Sequence, residues 1–178
     1  VISTDAIEKE GLQLATLSQK TLNKLSKNLP RAASVLNPVD VLGDALSDRY
    51  HEAIADVLAE KSVDALVVIL TPQVMTEIEA TANLVGKLSA KYGKPVVCSF
   101  MGGEIVNKGE EILNRYKIPS FRFPERAIHA LAKMWQWKSK AKNKSIKLSA
   151  TPKNNKIEKI INSVEKNTKV LSAVQADA

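Results

Sequence analysis

The sequence feature that most constrains the fold is the segment from Val63 to Glu104. Its apolar run Ala65–Leu70 is short and rich in β-branched residues, which indicates a strand covered on both faces. An amphipathic helix follows and ends at Gly93, and Pro95–Phe100 forms a second strand that leads into a glycine turn. Two strands joined by a crossover helix are parallel, and the crossover is right-handed. The segment therefore predicts a layered α/β fold.

Helical and extended segments alternate through the rest of the first 137 residues. The predicted helices are Ile2–Glu10, Ser18–Leu29, Ser47–Glu60, Glu104–Tyr116 and Pro124–Trp137, and the further extended segments are Leu12–Ala15, Asn37–Gly43 and Ile118–Phe123. This alternation predicts a flavodoxin-like (Rossmann-like) parallel sheet of four or five strands with helices on both faces. Because such sheets open with a central strand and this chain opens with a helix, we expect the sheet to lack its first strand.

The helix boundaries and inward faces follow from caps and apolar spacing. Ser18 and Ser47 are predicted N-caps. The inward stripes of the last two predicted helices are Ile105, Ile112, Leu113 and Tyr116, and then Ala127, Leu131, Met134 and Trp135. We therefore expect these side chains to pack against the sheet.

The net charge of +7 is concentrated near the end of the chain. Ten lysines and two glutamates between Lys138 and Lys169 contribute +8, so the remaining residues together carry −1. Residues 138–155 lack periodicity and read as a lysine-rich linker, and 156–178 regains an apolar stripe typical of a helix. With only 4% aromatic residues, this pattern favours a solvated linker over a nucleic-acid-binding arm.

Several classes of protein lose support from the composition and the motifs. A single cysteine, Cys98, lies inside a predicted strand and cannot form an internal disulfide, which suits a cytoplasmic protein. No apolar run approaches the roughly 20 residues of a membrane span. The sequence contains no CxxC, HExxH, GxSxG, GxGxxG or Walker A pattern, and His51 and His129 are predicted to lie on the surface of their helices. We therefore predict no metal site and no catalytic residue.

Three turns are predicted to lie at the carboxyl ends of the strands, where ligands bind in such sheets. They yield the candidate site residues Asn37, Asp40, Gly43, Thr71, Gln73, Gly102, Gly103 and Glu104. Each turn feeds a helix or turn whose free N–H groups could face an anion. Two alternatives stay open: the glycine pair could simply form a packing turn, and Asp40 could accept hydrogen bonds from its own turn.

Four motifs in order resemble one family. They are Asn37-Pro38-Val39-Asp40-Val41-Leu42-Gly43-Asp44-Ala45, Leu70-Thr71-Pro72-Gln73, Ser99-Phe100-Met101-Gly102-Gly103 and Phe123-Pro124-Glu125-Arg126-Ala127. Together they resemble the ligase-CoA domain of the NDP-forming (ADP-forming) acyl-CoA synthetases, which are relatives of succinyl-CoA synthetase and include acetate–CoA ligase. The resemblance covers about Val1 to Trp137.

The resemblance implies an enzyme that makes acyl-CoA, ADP and phosphate from an acid, CoA and ATP. In this family a phosphohistidine carries the phosphoryl group between a CoA-binding part and an ATP-grasp domain, and the parent enzyme uses ATP, Mg and CoA. The ligase-CoA domain would dock and stabilise a phosphohistidine supplied by another domain, with no cofactor bound by this fragment alone. Neither histidine matches the phosphohistidine position, so we expect the fragment to be inactive by itself.

The chain departs from the family pattern at its start. The family's first strand and glycine-rich turn would lie just before Val1, and Val1–Glu10 would be the helix that they feed. We expect 138–178 to lead toward an ATP-grasp domain. Two other functions stay open: a stand-alone flavodoxin-like ligand-binding or regulatory module, and a basic nucleic-acid adaptor. Strand exchange at the open position of the sheet would give a homo-oligomer.

Overall fold

The computed structural model describes residues 2–143. The chain divides into two units, 1–137 and 138–178, and the second is described only for residues 138–143, the end of the last helix. The rest of the predicted linker and the predicted helical segment 156–178 lie outside the described residues. None of the helices described is both long and apolar enough to cross a membrane.

The predicted helices and the two central strands occur along the chain in the order predicted. The elements are α1 (Ile2–Lys9), α2 (Gln19–Asn28), α3 (Ser47–Ala59), β1 (Leu66–Leu70), α4 (Ile78–Tyr92), β2 (Val96–Phe100), α5 (Asn107–Arg115) and α6 (Pro124–Asn143), with a 3-10 turn, Gly103–Val106, before α5. Gly93 ends α4 in the left-handed conformation, with φ of 63°, as a glycine C-cap does. Helix α6 continues six residues beyond its predicted end at Trp137.

Strands β1 and β2 pair in parallel, from Leu66 opposite Val96 to Leu70 opposite Phe100. The central strand–helix–strand prediction is therefore confirmed. A third extended segment follows β2 on its outer edge, where Ser120 forms a single parallel bridge with Cys98. The predicted strand Ile118–Phe123 is reduced to this bridge, because Pro119 has no N–H to donate and Pro124 already begins α6.

The prediction of a short strand at Leu12–Ala15 was wrong, and Asn37–Gly43 was predicted as an extended segment that ends in a turn. Leu12–Ala15 forms no strand, and Asn37–Gly43 contributes one antiparallel bridge, between Asp40 and Ser34. Neighbouring side chains donate to backbone oxygens there: the Asn37 amide to Ala15 O at 2.9 Å, and the Ser62 hydroxyl to Thr16 O at 2.7 Å. The sheet in the described residues therefore has two strands and one bridge rather than four or five strands.

Helices cover both faces of this small sheet, as predicted. Alternate residues of the strands point to opposite faces. One face packs with α3, α4 and α5 in a core that contains Val68, Leu70, Val96, Cys98 and Phe100. The other face presents Val67 and Val97 to Ala127 and Leu131 of α6. Burial raises the pKa of the Cys98 thiol, which makes this residue a small core side chain rather than a nucleophile.

Some residues predicted to face inward are exposed. Ile105 is 71% exposed because it lies in the 3-10 turn, whose helical phase differs from that of α5. Met134 and Trp135 are half exposed because α6 outruns the sheet: 20 helical residues span about 30 Å, and a five-residue strand about 17 Å. Tyr116 is 38% exposed, although its ring packs closely over Gly86 of α4.

Candidate functional site

The three predicted turns meet beyond the carboxyl ends of β1 and β2. A Cβ placed on Gly102 would lie 2.7 Å from Pro72 Cγ, so the turn after β2 rests on the turn after β1. A Cβ placed on Gly43 would lie 3.9 Å from Gln73 Cγ, so the Asp40–Gly43 turn lies beside the turn after β1 on its other side. The structure therefore brings the candidate residues of all three turns to one edge of the sheet.

Asp40 bonds to the backbone of its own turn, whereas Asn37 bonds to a segment 22 residues away. The Asp40 carboxylate accepts a hydrogen bond from the Leu42 N–H at 2.9 Å, and Leu42 adopts a φ of 70°. The Asn37 amide is engaged with Ala15 O. Of the two alternatives for Asp40, the turn-forming one is therefore realised in the structure, with the side chain still exposed to solvent.

The turn after β1 presents polar side chains that bond to nothing in residues 2–143. Its backbone is closed by Thr76, whose hydroxyl accepts from the Gln73 N–H at 2.8 Å and whose N–H donates to Gln73 O at 3.1 Å. The side chains of Thr71 and Gln73 are exposed. They are therefore available for contact with another molecule.

Glu77 connects this turn to the start of α3. Its carboxylate accepts from the Ser47 N–H at 3.0 Å and from the Ser47 hydroxyl at 2.6 Å, and these bonds hold the pKa of Glu77 below its usual range. The prediction that Ser47 is the N-cap was wrong: Leu46 occupies the cap position, and Glu77 bonds to the first N–H of the helix. A local pattern could not reveal this, because the two residues are 30 apart in the sequence.

The turn after β2 borders a cleft of about 260 Å³. Gly103 has a φ of 59°, which starts the 3-10 turn, and Glu104 is exposed beside it. The cleft is lined by Phe100, Gly103, Glu104, Val106, Asn107, Glu110 and Arg122. Sequence reasoning missed Arg122. Its position near the carboxyl end of the predicted strand Ile118–Phe123 was the available signal, because the carboxyl ends of parallel segments share one edge.

Carboxylates outnumber cations in these strand-end loops. The loop before α3 carries Asp40 and Asp44. The loop after β1 carries Glu77, the loop after β2 carries Glu104, and the loop after the Ser120 bridge carries Arg122. Arg49 of α3 neutralises Asp44 through a hydrogen bond that lowers the pKa of Asp44. Arg122 makes no ion pair within the described residues. The edge is therefore acidic, although the first 137 residues have equal numbers of acidic and basic residues.

Neither histidine belongs to the three turns. His51 lies on α3 with its Nδ1 at 3.6 Å from Glu52. His129 Nδ1 of α6 lies 2.9 Å from the carboxylate of Glu10, the residue that follows α1. This hydrogen bond lowers the pKa of Glu10. Across residues 2–143, no group of three or more His, Cys, Asp or Glu side chains is arranged to hold a metal ion.

Comparison with known proteins decides the family. The model of the Ligase-CoA domain family matches residues 1–145. The chain belongs to this family. The match confirms the resemblance predicted from the four motifs, and nothing in the comparisons supports the stand-alone flavodoxin-like module. The three turns are thus the strand-end turns of a ligase-CoA domain.

Relatives of this ligase-CoA domain are longer proteins. It is 33% identical over 163 residues to acetate–CoA ligase [ADP-forming] I of Archaeoglobus fulgidus. That alignment covers 90% of this chain and 23% of the relative. It is 34% identical over 129 residues to the alpha subunit of acetate–CoA ligase [ADP-forming] II of Pyrococcus furiosus, with 70% and 28% covered. The chain thus spans about a quarter of these relatives.

Solved structures agree with this assignment. The dinucleotide forming acetyl-coenzyme A synthetase 1 of Ca. Korarchaeum cryptofilum superposes with a TM-score of 0.70 at 28% identity, over 77% of this chain and 30% of that one. The same synthetase has been solved in complex with phosphate and ADP. The α/β fold of the ligase-CoA domain therefore also occurs as part of that synthetase.

Proposed function

We propose that this ligase-CoA domain is part of an ADP-forming acyl-CoA synthetase, which converts an acid, CoA and ATP to acyl-CoA, ADP and phosphate. The names of the relatives support this activity. They include two acetate–CoA ligases and the 4-hydroxybutyrate–CoA ligase of Nitrosopumilus maritimus, all described as ADP-forming. Acids of different length occur among them, so thioester formation with release of ADP is the chemistry that they share.

Within that enzyme, the domain docks and stabilises a phosphohistidine supplied by another domain. The observation that carries this role is the convergence of the three turns into one solvent-facing surface. The side chains of Thr71, Gln73 and Glu104 are exposed there and bond to no described residue. The adjoining cleft of about 260 Å³ is below the roughly 300–1,000 Å³ typical of small-molecule sites. Such a surface suits a protein segment better than CoA or a nucleotide.

The negative charge of the edge determines how a bound phosphohistidine would be oriented. Carboxylates repel a dianionic phosphoryl group but accept hydrogen bonds from a ring N–H of an imidazole, so Glu104 would face the ring rather than the phosphate. The phosphoryl group would lie against backbone N–H groups at the N-terminus of a helix, where the helix dipole favours negative charge. The domain would thereby orient and stabilise the intermediate without a catalytic side chain of its own.

The other components would come from the rest of the enzyme. ATP and Mg belong with an ATP-grasp domain, toward which residues 138–178 lead, and CoA belongs with a CoA-binding domain that precedes the phosphohistidine domain. Polar side chains at the carboxyl ends of parallel strands suit docking of such a neighbour. We assign the whole assembly to the cytoplasm, without a membrane or nucleic-acid partner, and its subunits could associate into a homo-oligomer.

Complementation tests this function. The CoA-binding and phosphohistidine part and the ATP-grasp part of the enzyme are produced separately and mixed with this chain, and ATP- and CoA-dependent thioester formation is measured. We expect activity only when the ligase-CoA domain is present, and none from this chain alone. Equal activity with and without the domain, with the other parts intact, would contradict the proposed function.

A further inference from the structure

We draw no further inference here: the strongest candidate, the exposed apolar patch of Met134, Trp135 and Trp137 on the part of α6 that extends beyond the sheet, carries none because nothing in residues 2–143 shows what covers it.

Discussion

Phe100 and Phe123 represent two regions of this domain, the buried core beside the strands and the exposed edge beyond the strand ends. Phe100 ends β2 and is 1% exposed, in the core between the sheet and helices α3, α4 and α5. Phe123 lies beyond the neighbouring extended segment and is 58% exposed. The Phe100 ring is covered by the sheet and helices of the domain, whereas the strand-end edge leaves large apolar side chains exposed and the Glu104 carboxylate without a partner among the described residues. This difference supports the proposed function, in which another domain of the enzyme docks at the edge.

Truncating the two phenylalanines should give the largest contrast. Phe100→Ala removes a fully buried ring and should lower the free energy of unfolding by about 3–5 kcal/mol. Phe123→Ala removes an exposed ring and should change it by less than about 0.5 kcal/mol. Urea unfolding followed by circular dichroism measures both. Similar losses for the two variants would mean that Phe123 is part of the core.

The glycines of the strand-end edge provide a second contrast. Gly102→Ala would place a methyl group 2.7 Å from Pro72 Cγ and 2.9 Å from Val106 Cγ1, so we expect a loss of about 1–3 kcal/mol in unfolding free energy. At Gly43 the nearest side-chain atom is 3.9 Å away, so Gly43→Ala should change stability by less than about 0.5 kcal/mol. Equal stability of the two variants in urea would contradict the contact between the turns after β1 and β2.

Asp40 and Thr71 are predicted to differ in role: Asp40 stabilises the backbone of its turn, whereas the side chain of Thr71 is free to contact another molecule. Asp40→Ala removes the hydrogen bond to the Leu42 N–H and should cost about 0.5–1.5 kcal/mol, toward the low end because the turn is exposed. Thr71→Ala removes no described bond, and its stability should match that of the unchanged chain within about 0.5 kcal/mol. In the complementation assay, by contrast, Thr71→Ala should lower thioester formation. An Asp40→Ala variant as stable as the unchanged chain would contradict the turn-forming role of Asp40.

Glu60 gives the smallest effect, and it depends on pH. Its carboxylate accepts hydrogen bonds from the Ser18 N–H and from the hydroxyls of Ser18 and Thr21, which lowers the pKa of Glu60 from 4.5 to about 2. The ionised form is therefore favoured by folding, and its stabilisation is present above about pH 4.5 and lost as the pH falls toward 2. Glu60→Gln should be less stable than the unchanged chain at neutral pH, with a difference that shrinks over this range. Unfolding midpoints across the range measure it, and a constant difference would contradict the assignment.

The sequence predicted the parts of the fold that depend on local patterns. The run Ala65–Leu70 predicted β1, and the glycine at 93 marked the end of α4, because burial and backbone conformation act within a few residues. The three turns were also predictable as one edge, since every parallel strand ends on the same side of the sheet.

Other features depend on contacts between distant segments. The start of α3 bonds to Glu77, and the backbone oxygens of Ala15 and Thr16 are engaged by Asn37 and Ser62. Local spacing carries no information about such partners. The exposure of Ile105 was missed for a different reason: a 3-10 turn precedes α5 and shifts the phase of the apolar stripe. Of these departures, the Ser47–Glu77 contact and the exposed Ile105 lie at the strand-end edge, where the proposed function is located.

The most direct test of the docking surface is a titration of the isotopically labelled domain followed by backbone amide chemical shifts. CoA, ADP and phosphate are added separately, followed by the phosphohistidine-bearing domain. We predict that the three small molecules leave the amides of residues 40–43, 71–77 and 101–106 unchanged and that the added domain shifts them in a saturable way. Saturable shifts of these amides with CoA or ADP alone would contradict the account, because the edge would then be a small-molecule site.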